Sequence, residues 1–178
     1  MNKLKILLFV FLFIEVNSIA QNEQFDIIKS RANLYAKAIK KYDFKETIKF
    51  TYPKLVNILG GKDSVSVIYS DKMVKLKQEG LRYKSFDFGN PQEIYKHDNF
   101  NYCFIRQKIV QANSQGEVKT DSYLLAVYDD EEWYFITEEQ FLKYKKLIFG
   151  ELSNKIIFPK SSKVFIRYKS FSAFNKPK

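Results

Sequence analysis

Apolar side chains recur along residues 25–42 as Phe25, Ile28, Ala32, Tyr35, Ala36, Ile39 and Tyr42. Steps of three and four residues put them on one stripe of an amphipathic helix, and Lys29, Arg31, Lys37, Lys40 and Lys41 fill the rest of its surface. A short second helix is predicted over 44–50, with Asp43 at a helix end or N-cap. It stops before Pro53, which cannot continue a helix. Gly60-Gly61 breaks the chain, and Asp63 is a good N-cap for a third helix reaching about residue 79. Val65, Ile68, Tyr69, Met73 and Leu76 are its expected buried stripe, and Gly80 its left-handed cap.

After Leu81 the period shortens to two. Strands are predicted over 82–89, 100–111, 117–128 and 132–137, with a short edge strand over 92–96. Asn90-Pro91, His97-Asp98-Asn99, residues 113–116 and residues 129–131 supply turn chemistry, so neighbouring strands should pair as antiparallel hairpins. Residues 138–149 read as a closing helix. Helices first and then a meander is the α+β arrangement, with helices gathered on one face of a sheet. The strands are apolar in both phases: Tyr102, Phe104 and Val110 alternate with Cys103, Ile105 and Ile109. Such a sheet is covered on one face and partly buried on the other, where a dimer partner or the chain's own tail could lie.

The amino terminus has a different pattern. Lys3 and Lys5 precede an unbroken apolar run, residues 6–14, and Ser18-Ile19-Ala20 places small residues ahead of Gln21, the three-part layout of a secretory signal. The run is far shorter than the roughly 20 residues that span a bilayer, so no transmembrane helix is expected in the mature chain. No cysteine lies near the cleavage point for lipid attachment, and Cys103, the sole cysteine, cannot form an internal disulfide. Export to a bacterial periplasm or to the exterior, without a lipid anchor, is the compartment this predicts. Three segments follow: the signal over 1–20, one domain over 21–152, and a basic aromatic extension over 153–178. Of 178 residues 46% are hydrophobic and 28% charged, which excludes a disordered chain. One His and one Cys exclude a structural zinc site, and neither metal nor cofactor is expected.

Tyr42-Asp43-Phe44, Thr51-Tyr52-Pro53-Lys54, Leu59-Gly60-Gly61-Lys62, residues 122–127 and Trp133-Tyr134-Phe135-Ile136 stand in an order that resembles the nuclear-transport-factor-two-like superfamily. This is the cystatin-like, cone-shaped α+β fold shared with ketosteroid isomerases and SnoaL-type proteins; more narrowly, the segments resemble its small exported bacterial branch. The resemblance covers residues 24–152. It implies N-terminal helices packed into the concave face of a strongly curved antiparallel sheet, leaving a conical cavity open at one end. Its members include isomerases, cyclases and dehydratases as well as non-enzymatic binding and dimerisation modules. The isomerases use a carboxylate base inside the cone and a Tyr or protonated Asp as oxyanion donor. No motif of this chain matches either role.

Asp87 shares its strand phase with Tyr83 and Ser85, and Asp121 shares one with Tyr123, Leu125 and Val127. A carboxylate beside a Tyr inside the cone would be the pair that proton abstraction next to a carbonyl requires, whereas the same residues at strand ends are rim charges. Arg106, between Phe104 and Lys108, could hold a ligand carboxylate or phosphate bidentately or serve as a sheet-surface charge. Tyr35, Tyr69, Tyr83, Tyr102, Tyr123 and Trp133, with Arg106, form the ligand-binding shortlist. His97 reads as a solvated turn residue and Cys103 as a buried small hydrophobe. Residues 129–132 read as a charged hairpin tip rather than a cation loop.

Net charge is +10, and +9 without residues 1–20. The excess collects after Asn154, where seven Lys and Arg interleave with Phe158, Phe165, Tyr168, Phe171 and Phe174 and no acid occurs. Export argues against nucleic acid as its partner. The extension could meet an anionic envelope surface, or residues 164–168 could pair with a sheet edge. The function expected is an exported, non-catalytic module that binds a small ligand or a protein through the cavity or the sheet face, with a homodimer through that face as a further expectation. The alternative is a small-molecule isomerase, dehydratase or cyclase with Asp87 or Asp121 as its base.

Overall fold

The computed structural model describes residues 2–97 and 100–168, with side chains from residue 22 onward. Residues 2–20 of the expected signal are described as backbone only, as the first part of α1, while the turn at Asp98-Asn99 and the last ten residues of the extension lie outside the described residues. The chain runs α1 (Asn2–Lys41), α2 (Phe44–Lys49), α3 (Pro53–Ile58), α4 (Gly61–Gln78), β1 (Arg82–Pro91), β2 (Tyr95–His97), β3 (Phe100–Ala112), β4 (Gly116–Asp129), β5 (Glu132–Thr137), α5 (Glu138–Phe149), a 3-10 turn (Gly150–Asn154) and β6 (Ser162–Arg167). Among the described residues no helix is long and apolar enough to cross a membrane.

All six strands join one curved antiparallel sheet, in the order β1-β3-β4-β5. β2 pairs with the start of β3, and β6 lies beside the first half of β4, in line with β5 along the same edge. Twelve residue pairs tie β3 to β4, from Asn101↔Tyr128 to Ala112↔Glu117. One face of this ladder packs Cys103, Ile105, Leu124, Ala126, Trp133 and Phe135 against Ile28, Ala32 and Tyr35 of α1 and against Phe50. The opposite face packs Tyr102, Phe104, Leu125, Val127 and Ile136 against Tyr52 and Leu55, and against Phe141, Ile148 and Phe149 of α5. Truncating a side chain such as Leu124, sealed from solvent in this arrangement, would cost roughly 2–5 kcal/mol.

This is the arrangement the sequence predicts: helices set against the concave face of a bent antiparallel sheet. Local features differ: Asn90-Pro91, read as a turn, ends β1, and His97, read as part of a turn, ends β2. α2 stops before Pro53 as expected, but Pro53 then opens a further helix, α3, because a first-turn N–H has no helical acceptor and its loss costs nothing. The N-cap of α4 is Gly60, held at φ 92°, and Asp63 stands inside the first turn, facing the positive end of the helix dipole. Ile68, expected in the buried stripe, is 44% exposed. Asp43 does cap α2, accepting the Glu46 N–H at 3.0 Å, and Gly80 ends α4 at φ 67°.

The second face of the sheet is covered from within the chain. α5, the 3-10 turn and residues 156–158 shield its apolar half, and Phe158 meets Phe104 edge-on at 5.0 Å. The uncovered half carries Lys84, Asp87, Arg106, Lys108, Lys119 and Asp121. Val164 and Ile166 of β6, opposite Lys119 and Glu117, are exposed on the same half-face.

β6 docks where β4 begins with a glycine. A Cβ on Gly116 would overlap the Ile166 carbonyl oxygen and lie 2.9 Å from the Phe165 ring. The end of β6 is fixed by Tyr168, whose N–H donates to the Gln115 carbonyl at 2.9 Å and whose hydroxyl donates to Glu117 at 3.2 Å. Gly116→Ala should therefore displace β6, at a cost of about 1–3 kcal/mol, without unfolding the β3–β4 ladder. Amides of residues 162–167 should lose hydrogen-exchange protection while those of 103–107 keep theirs. Unchanged protection of β6 would contradict this account of the glycine.

Candidate functional site

Between α1, α2 and α4 on one side and β1, β3 and the first turns of α5 on the other, the fold leaves a cavity of about 410 Å³. That lies within the range of pockets that hold small organic ligands, roughly 300–1,000 Å³. α1 contributes Tyr35 and Ile39, α2 Phe44 and Thr47, α4 Ile68, Tyr69, Lys72 and Met73. The sheet contributes Tyr83, Phe86, Gln107 and Ile109, and the β5–α5 junction Thr137, Glu139, Gln140, Lys143 and Tyr144. The exposure of Ile68 follows from its place on this wall.

The cavity begins where the apolar face of β3 turns polar. Gln107, buried, donates from Nε2 to Ser122 Oγ at 3.0 Å across the ladder. Its carbonyl oxygen has no partner among the described residues, which leaves one acceptor at the cavity wall. Tyr69 is held in a directional chain: Gln140 Nε2 donates to its hydroxyl at 3.3 Å, and the hydroxyl pairs with Thr51 Oγ1 at 3.0 Å. Thr51 spends its own proton on the Thr47 carbonyl at 3.2 Å, so Tyr69 is the donor to Thr51. Gln140 is itself fixed by the capping box of α5, its Oε1 accepting the Thr137 N–H at 2.9 Å.

Tyr35 and Tyr83 differ from Tyr69, because neither hydroxyl has a hydrogen-bond partner among the described residues. Burial raises the Tyr35 hydroxyl well above the usual tyrosine range, and the neighbouring Tyr69 and Tyr83 add to it. Tyr83 is raised by burial and, secondarily, by Tyr42. Both stay protonated at neutral pH and present unspent O–H donors. The charged groups of the lining are confined to the mouth, where Lys72 and Glu139 form an exposed pair at 3.1 Å and Lys143 lies 5.2 Å from the Tyr144 ring centroid.

Of the shortlisted residues, Tyr35, Tyr69 and Tyr83 meet in this cavity; the others do not. Trp133 is buried beside α1, donating to Gln24 Oε1 at 2.9 Å, and Tyr102 stacks on Tyr95 at 5.3 Å on the opposite face. Tyr123 also lies on that second face. Arg106 is committed to Asp121 through two parallel bonds of 2.7 and 2.5 Å, which lower the Asp121 carboxyl below its usual range. Asp121 is therefore an ion-paired surface carboxylate.

Asp87 stands across from Lys108, exposed and likewise outside the cavity. The pairing of a base with a neighbouring Tyr, expected from strand alternation, fails for a local reason. β1 carries an extra residue between Tyr83 and Ser85, so Tyr83 faces Gln111 while Ser85 faces Val110. The bulge reverses the phase: Tyr83 stacks on Phe86 over the cavity at 6.0 Å, and Ser85 and Asp87 point away. Phe44, Gln107, Thr137, Gln140 and Tyr144 were not legible as a site, because they are distant in sequence and carry no shared motif.

Cys103 and His97 do not form a dyad. His97 Nε2 lies 2.6 Å from Lys155 Nζ, and burial pushes the Cys103 thiol up to about 12. Among the described residues no group of three or more His, Cys, Asp or Glu could hold a metal ion. Cys103 should accordingly resist aromatic disulfide reagents at pH 8 in the native protein and react in full once denatured. Rapid reaction of the native protein would contradict its burial. Asp87→Asn and Asp121→Asn should leave the cavity's ligand binding within twofold, measured by dye titration.

No family model matches the chain, and no curated protein matches it. Among solved structures, the chain is similar to a ketosteroid isomerase-like protein from Erwinia carotovora atroseptica SCRI1043, at 13% identity and a TM-score of 0.41, over 64% of this chain and 92% of that one.

Proposed function

We propose that the protein is an exported binding module whose cavity holds a small, largely apolar molecule carrying one or two hydrogen-bond acceptors, and that it does no chemistry on it. The observation that carries this reading is the character of the inner wall. Its polar groups are neutral: the donors of Tyr35 and Tyr83, the Gln140–Tyr69–Thr51 chain and the Gln107 amide. Proton abstraction needs a base poised near the working pH within hydrogen-bond reach of the substrate. The lining's sole carboxylate, Glu139, is exposed at the mouth and paired with Lys72. An acceptor buried against Tyr35 or Tyr83 would satisfy donors that otherwise lack a protein partner, at about 0.5–1.5 kcal/mol each, while the apolar body displaces water. Export rests on the layout of residues 1–20.

Titration with the uncharged dye phenylnaphthylamine should give saturable fluorescence enhancement with one site per chain. Ile68→Trp, which places bulk at a partly exposed wall position, should abolish that signal with the circular dichroism spectrum and Tm retained. Dye binding that survives this substitution would locate the site elsewhere and overturn the reading.

A further inference from the structure

We infer that the natural ligand of this cavity is an amphiphilic monoanion, seated with its apolar body inside and its carboxylate or equivalent anionic group at Lys143. The inference rests on the cavity being the binding site and adds the class and orientation of the ligand.

It follows from how charge is distributed along the cavity. The inner end holds aromatic rings, Ile39, Ile109 and the neutral tyrosine hydroxyls, with no ionisable group that carries charge at neutral pH. An ionised head buried there would lose its hydration with no counter-charge, which is prohibitive. At the mouth three charged side chains meet: Lys72, Glu139 and Lys143. Lys72 and Glu139 neutralise one another across the gap between α4 and α5 at 3.1 Å. Lys143 has no acidic partner among the described residues and rests near the Tyr144 ring, which also lines the cavity. The uncompensated charge of the mouth is therefore positive, and it sits where an apolar channel meets water. Low-dielectric walls focus that field outward, and the chain's net charge of +9 without residues 1–20 reinforces it for an approaching anion. A ligand that is apolar at one end and anionic at the other matches both ends at once. A cationic amphiphile would meet Lys143 head-on, and a neutral one would leave its charge unused.

The test uses a matched pair of dyes, anilinonaphthalene sulfonate and its uncharged parent phenylnaphthylamine, titrated into the purified protein at low and at physiological salt. The sulfonate should bind about three- to tenfold more tightly than the parent, the range of one or two rim charge interactions, with the difference shrinking at higher salt. Lys143→Glu should erase that preference while leaving the parent dye within twofold. Lys96→Glu makes the same change in net charge on β2, which pairs with the far end of β3 from the cavity, and should leave both dyes unaffected. Equal affinities of the two dyes, or equal losses in Lys143→Glu and Lys96→Glu, would overturn the inference. If the parent dye still binds and Ile68→Trp still removes it, the cavity reading survives that failure. If neither dye binds, or Ile68→Trp affects neither, both fall together.

Discussion

The β3–β4 ladder is the element on which everything else is hung. Strand side chains alternate, so a single paired ribbon can present an apolar surface to each side at once. Residues 103–105 and 124–127 are buried in both phases, unlike a sheet with one face in water. α1 can dock on one side only because Cys103, Ile105, Leu124 and Ala126 supply a surface there. α5 can fold back on the other only because Phe104, Leu125 and Val127 do the same. The 12 pairings of the ladder also fix register, and register decides which side chains reach which core.

The cavity is the place where that apolar ladder stops being covered. Past Ile105 the concave face continues as Gln107 and Ile109, and the Gln107–Ser122 bond satisfies one polar group while leaving an acceptor available. The elements around it are tied together by polar contacts. Gln140, locked by the α5 cap, holds Tyr69 of α4, and Tyr69 in turn reaches Thr51 beside β5. The wall is thus held by hydrogen bonds at Tyr69 and Gln140, while packing on Phe135 and Phe86 positions the rings of Tyr35 and Tyr83. Such a cavity can order a ligand at little further entropic cost.

Charge is sorted by location with similar consistency. The concave interior excludes it, the mouth carries a net positive balance, and the exposed half of the other face holds paired opposites such as Arg106–Asp121 and Lys84–Glu117. Surface pairs of this kind contribute little to stability, typically below about 1 kcal/mol. Their stronger effect is to give that half-face an even mixture of signs. The other half is buried by α5 and Phe158 from within the chain.

The sequence by itself determined the inventory. Its periodicity placed α1 from residue 25 onward, the strands β1, β3, β4 and β5, and α5, and the turn residues between them dictated antiparallel order. Glu132–Thr137 and Glu138–Phe149 coincide with the segments read from pattern alone, because a charged hairpin tip and a capping box mark their boundaries locally. Tertiary structure decided what faces what. The bulge after Tyr83 separates it from Asp87, and only the cross-strand register with Gln111 and Val110 reveals that. α3 escaped notice because a proline that breaks one helix can also begin the next. The cavity itself gathers residues from 35 to 144. No local signal could announce it, since its polar groups are ordinary Gln, Thr and Tyr residues. They acquire meaning only when packing removes their other partners.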